Sequence, residues 1–426
     1  MLTFNNTVLF VSLAVTCMSF AWVFRLKYMK DKLFFIFIAI FIYIYCGLGG
    51  CLKDANLTYL RYYYIYIIVL GVTIRWSNIG IKFTQADDVK FSSYLERNAK
   101  FILYFYFFIS ILTLVFPEII LYRLISPPSP DVFANLNGKF ENKNTDALSS
   151  IIDLVKNFLT PFFYWALYKY RDNISIIALL MAFDLYISYC HDSYIGRHHI
   201  LVALLIIFLF KYSKLSKKKK ILFVIVIMTS IPLLAYGFYQ YSYLRLGAGV
   251  EIVSIDLAME LLFGQEITYP LLFDSYKNFY DSNLILNYFE WITFLPLPGF
   301  LKFGMGSIPS YRFTEVVTGL SPGDSGWYIL LPGIVGEAYF FFGPVLFFLH
   351  AILLGIVIKA VYRSFCTSPS LIFVYFFYGV TLSFQLSRGG TLSVYPLIFK
   401  HYLIITIYLS IIRKRSIYKL CNYQKG

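Results

Sequence analysis

The chain has 426 residues, of which 59% are hydrophobic and only 14% charged, and its mean hydropathy is +0.68. A soluble domain carries roughly a quarter charged residues, so a soluble globular enzyme is excluded and an all-α polytopic membrane protein remains. The net charge of +14 is read as loop charge that orients spans in a bilayer, so no nucleic-acid partner is expected.

Phe and Tyr number 44 and 38, a load that suits lipid-facing helices and interfacial aromatic belts. The six Cys form no CxxC pair, so no metal centre and no disulfide framework is expected. No Lys or Arg precedes the first apolar run. It therefore lacks the basic front of a signal peptide and reads as a retained first span.

A span needs about 20 mostly apolar residues. That rule predicts about eleven spans (10–12), near 5–24, 33–51, 60–80, 101–121, 151–169, 173–190, 199–212, 221–240, 330–355, 371–387 and 394–412. The tract Lys211, Lys214 and Lys217 to Lys220 is the strongest inner marker, and Arg413, Lys414 and Arg415 are the second. Loops on that same side hold most of the remaining Lys and Arg, which puts the C-terminus inside. Asp87 and Asp88 fall on this side and read as a solvated loop.

The whole chain, 1–426, reads as one integral membrane domain with two outer loops. The smaller, 122–150, is rich in Pro, Asn and Gly. The larger, 241–329, precedes the ninth span and is too long for a simple turn. Within it Asp256 and Glu260 sit at i, i+4 beside a stripe of Val253, Leu257 and Leu261. That pattern fits a helix on the membrane surface, or equally one packed on other loop segments. Pro296, Pro298, Pro309, Pro322 and Pro332 rule out one continuous helix after Trp291.

Charge at the mouth of a membrane bundle is costly and points to function. Arg197, Arg245 and Arg388 all fall on the outer side, each near Gly and an aromatic residue. A guanidinium fork matches phosphate oxygens, and nearby Gly lets backbone amides approach an anion. Together they suggest a pyrophosphate pocket; singly, each could snorkel or cap a helix. Glu337, early in the ninth span, could pair with one of them, anchor the bundle or act as a general base. His191, His198 and His199 share the outer face, and an imidazole there is another candidate base. Asp54 and Asp324 are weaker candidates, since such Asp residues more often serve turns or caps. His350 and His401 read as packing or helix contacts.

Three local features resemble the O-antigen polymerases (Wzy) and the related oligosaccharide repeat-unit polymerases. One is FLPLPGFLKFG followed by SPGDSGW. Another is G-E-x-Y-x-x-F-G, at Gly336, Glu337, Tyr339, Phe342 and Gly343. The third is the late S-R-G of Ser387, Arg388 and Gly389. The spacer after FLPLPG departs from the family, with Lys302 and Arg312 in place of Pro-Arg and Lys-Pro pairs.

The resemblance implies a GT-C-like glycosyltransferase in a bacterial inner membrane, multi-pass, with its active face periplasmic. It would transfer a growing glycan from undecaprenyl diphosphate onto a lipid-linked repeat unit, without a cofactor and beside a chain-length regulator (a polysaccharide co-polymerase). Arg197, Arg245 and Arg388 would bind the diphosphate. Glu337, with His198 behind it, would activate the acceptor, and Tyr339, Asp324, Arg312 and Tyr243 would contact substrate. An O-antigen ligase shares the donor, a flippase or exporter shares the lipid-linked unit, and a membrane acyltransferase is a more distant rival.

Overall fold

The computed structural model describes residues 57–115, 122–127, 147–192, 281–295, 308–322 and 332–423, with scattered positions in 199–240, at 279 and in 324–330. Every regular element among the described residues is helical. Four helical runs are long and apolar enough to cross a bilayer: Gln85–Val115, Ile174–His191, Gly333–Phe365 and Gly390–Lys414. The protein is thus an all-α membrane protein. The first two expected spans and the Asp256–Glu260 helix lie outside the described residues, as does most of the seventh and eighth spans.

The chain divides into two compact units. The first takes Met1–Phe83, Phe263–Thr367 and Tyr378–Tyr402; the second takes Thr84–Leu262, Ser368–Phe377 and Leu403–Gly426.

In the first unit, helix α1 (Leu57–Trp76) buries Tyr59, Tyr63, Tyr66, Leu70 and Ile74 on one stripe. The spacing of three and four residues makes that stripe continuous along a helix. Its other face exposes Ile65, Ile68 and Val72, which suits lipid rather than water.

Two further helices of the first unit come from the segment expected as the large outer loop. They are α5 (Ser282–Phe294) and α6 (Pro309–Thr318). Helix α5 starts on Asp281, whose carboxylate caps the Asn283 amide at 3.0 Å. It sinks Leu284, Tyr288 and Trp291 into the core, so this part of the segment is structural. Helix α6 opens on Pro309 and ends on Gly319 with φ 71°, the usual division of labour between those two residues.

Helix α7 (Gly333–Phe365) lies along α1 and carries Gly355 against Leu70 and Thr73. A Cβ there would fall 2.8 Å from Thr73 Cβ and 3.3 Å from the Leu70 carbonyl oxygen. Small residues permit such close helix contacts in membranes. Gly355→Val is expected to cost about 2 kcal/mol through overpacking, read as a lower melting temperature of the detergent-solubilised protein.

Helix α7 is broken at Gly343 (φ 72°, ψ 176°), immediately before Pro344. Proline cannot donate to the preceding turn and clashes with it. Helix α8 (Ile372–Leu397) is broken at Gly390 (φ 60°, ψ −150°). The segment 388–393 was expected as a connection between two spans. It is helical on both sides of that one residue, and a π-helical turn, Ile398–Tyr402, follows.

The second unit is built on α2 (Gln85–Val115), which buries Phe91, Leu95, Ala99, Leu103 and Tyr106 along one seam. Around it stand α3 (Ala147–Leu167), α4 (Ile174–Asp192) and α9 (Leu403–Tyr423). Aromatic rings fill the core: Phe163 stacks on Tyr106 at 4.6 Å and Trp165 on Tyr94 at 5.9 Å. The outward face of α2 exposes Phe101, Tyr104 and Phe108.

Asp87 and Asp88 are not a solvated loop. Asp87 caps its own helix, accepting from the Thr84 amide and hydroxyl at 2.9 Å each, and lies 3.4 Å from Arg413. Asp88 accepts from the Ser370 amide at 2.9 Å and from the Ser368 and Ser370 hydroxyls. A helix start leaves free amides that only acceptors can satisfy, and these two carboxylates fill that need.

Candidate functional site

Both broken helices of the first unit meet at Glu337. The carboxylate is fully buried and sits on the short segment of α7 before the Gly343 break. Its Oε2 accepts from the Thr391 amide at 2.7 Å and from the Leu392 amide at 3.5 Å. These are the first amides after the Gly390 break. Helix starts carry free N–H groups and partial positive charge, so the carboxylate is the anion that this one holds.

The other oxygen, Oε1, accepts from the Thr391 hydroxyl and from His350 Nε2 at 3.1 Å. His350 lies on the second segment of α7. Its Nδ1 accepts from the Tyr66 hydroxyl of α1 at 2.7 Å. With Nε2–H donated to the Glu337 carboxylate, the neutral imidazole has Nδ1 free to accept from that hydroxyl. The Tyr288 hydroxyl of α5 donates to Thr391 Oγ1. Tyr288 also packs on Phe341, Phe342 and His350, with ring centroids 5.2–5.8 Å apart.

Four donors therefore converge on one carboxylate, which is about the full acceptor capacity of that group. A buried charge survives in such a place only with full hydrogen bonding. Gly390 is required by the same geometry. Its φ and ψ lie in a region reserved for glycine, and a Cβ there would fall on Glu337 Oε2 and within 2.9 Å of Cδ.

Of the residues expected at the site, Glu337 is central and Arg388 is adjacent in sequence, two residues before Gly390 on α8. Glu337 meets His350 where an arginine partner was one expectation. Tyr339 is nearly buried on α7 and packs edge-on against Tyr62 at 5.0 Å. Arg312 is half-exposed and pairs with Glu315 at 3.4 Å, one turn along α6. Asp324 is exposed and closes a turn, accepting from the Ser321 amide at 2.6 Å. Arg197, His198, Tyr243 and Arg245 lie outside the described residues.

His350, Thr391, Tyr66 and Tyr288 were not expected at the site. The G-G-T after Arg388 was the one available signal, because paired glycines before a hydroxyl residue suit a broken helix with a capped start. The sequence pattern also leaves unmarked a second buried carboxylate, Asp184 on α4. It accepts from the Tyr106 hydroxyl at 2.6 Å. Among the described residues no group of three His, Cys, Asp or Glu side chains is placed to hold a metal ion.

No family model, no curated protein and no solved structure matches the chain.

Proposed function

We propose that the protein is a membrane glycosyltransferase of the bacterial inner membrane. It joins undecaprenyl-diphosphate-linked oligosaccharide repeat units into a surface polysaccharide at the periplasmic face. The observation that carries this reading is the contact between Glu337 and the Thr391 amide, 2.7 Å long. It ties the G-E-x-Y-x-x-F-G string to Thr391, two residues after the S-R-G string; the two strings resemble the polymerases and stand far apart in the chain.

In this reading about eleven spans, arranged as in GT-C enzymes, hold an outer lip of polar groups. The leaving group is a diphosphate, so the barrier falls mainly through positive charge placed where negative charge develops. Arg388, with Arg197 and Arg245, supplies that charge, since a guanidinium stays charged and offers paired donors. In this reading His198 takes the acceptor proton. Tyr339, Asp324, Arg312 and Tyr243 contact lipid or sugar, and a chain-length regulator is the expected protein partner. Aromatic faces suit both polyprenyl and sugar surfaces.

One observation favours a second reading, an exporter or flippase of the same lipid-linked unit. Two helices break in the interior of one unit, with a Glu and a His between them. Broken helices with buried ionisable groups are a recurrent transporter device.

A gel of the surface glycan from a strain lacking this protein separates the readings. The expected result is core capped by a single repeat unit: units made, moved across and ligated, but not joined. Core with no unit, and lipid-linked units accumulating, would favour export or ligation. An unchanged ladder would remove the protein from glycan assembly.

A further inference from the structure

We propose that Glu337 is a positioning residue whose work is to fix the Gly390 break in α8, and through it the segment bearing Arg388. The proposal rests on the polymerase reading only for what Arg388 does there. The positioning itself stands on geometry.

A general base must reach the proton that it takes. Glu337 is fully buried, and its oxygens are occupied by four donors from Thr391, Leu392 and His350. No acceptor position remains for a sugar hydroxyl. The same four bonds make the carboxylate the cap of the helix that restarts at Thr391. Without that cap the first amides after the break would be unpaired in an apolar core.

The carboxylate is itself held. His350 presents Nε2–H to Oε1, and Tyr66 orients the imidazole through Nδ1. Tyr288 fixes the hydroxyl of Thr391 from the opposite side. Four helices thereby agree on one position for residues 390–392. Arg388 lies in the last turn of the segment of α8 that runs up to Gly390, so its backbone is set by the same clamp. This is the supporting shell that a precisely placed charge requires.

Three variants test this: Glu337→Gln, Glu337→Leu and Thr391→Val. A glutamine oxygen can still accept from the Thr391 amide, so a positioning role tolerates it and a base role does not. Glu337→Gln is expected to keep chain extension, reduced several-fold, in the complemented deletion strain. Glu337→Leu is expected to lose long chains. Hydrogen exchange of the purified full-length protein in lipid nanodiscs gives the independent readout. Peptides covering 387–392 should exchange at least about tenfold faster in Glu337→Leu and Thr391→Val, with α2 unchanged, because the lost bonds close that local opening. Loss of chain extension in Glu337→Gln with unchanged exchange would make Glu337 a base and overturn the proposal. Unchanged exchange at 387–392 in both other variants would overturn it too. If the deletion strain itself has a normal ladder, the polymerase reading fails, while the exchange data still decide the positioning role.

Discussion

Gly390→Ala is expected to destabilise the protein by about 2–6 kcal/mol, from two costs that arise at one atom. A side chain at φ 60°, ψ −150° is strained by about 1–3 kcal/mol. The new methyl also falls on Glu337 Oε2, so the carboxylate must move off the Thr391 amide. An unpaired buried donor costs about 1–3 kcal/mol more. No rearrangement relieves both, because moving the backbone of residue 390 to ordinary angles would carry Thr391 away from Glu337. The measurement is thermal unfolding of the detergent-solubilised protein. Gly237→Ala is the control, since nothing lies within 4 Å of a Cβ placed there. The Gly390 variant should melt well below both wild type and control. Equal melting temperatures would mean that the break is not a required feature of the fold.

The contrast between Glu337 and its partners shows what could be read from the chain alone. A carboxylate in an apolar run is conspicuous, because burying charge is costly wherever the fold puts it. Its partners carry no such mark. Thr391, Tyr66 and Tyr288 are ordinary residues, and their bonds span large separations: 54 residues from Glu337 to Thr391 and 284 from Tyr66 to His350. No local pattern anticipates such pairs. The spans divide in the same way. Hydropathy placed the sixth span at 173–190, and the helix runs Ile174–Asp192. It placed the ninth at 330–355, yet α7 continues to Phe365. The extension is a stripe effect: Leu354, Ile358, Val361 and Phe365 stay buried while Lys359 and Arg363 take another face. Average hydropathy falls there although the periodicity does not. The S-R-G-G-T segment was expected to connect two spans because it falls between two apolar runs, and glycines weaken helices. A carboxylate from a distant helix supplies the missing cap, which is tertiary structure overriding propensity. Thr84 and Asp87 show the reverse case. The T-x-x-D spacing of a helix start stood in the sequence, but the charge run around it suggested solvent.

Glu337→Leu is expected to cost about 4 kcal/mol, and removing His350 as well is not expected to restore it. The reason lies in which donors are left behind. In many buried ion pairs the penalty of a single substitution is the stranded opposite charge, so replacing both partners with apolar groups recovers stability. Here His350 has an alternative. Its Nε2 lies 3.2 Å from Thr391 Oγ1. With the carboxylate gone, the imidazole can shift its proton to Nδ1, accept from that hydroxyl and donate to Tyr66. The two backbone amides of Thr391 and Leu392 have no such alternative, because the helix that starts there cannot supply its own acceptors. They carry the cost. Adding His350→Leu then removes the imidazole as an acceptor for the Thr391 hydroxyl without helping the amides. The double variant should therefore melt no higher than Glu337→Leu. A double variant that recovers toward wild type would show that attraction between Glu337 and His350 dominates, with the capped helix start secondary. The expected order ties the stability of the first unit to the same two amides that fix the backbone beside Arg388.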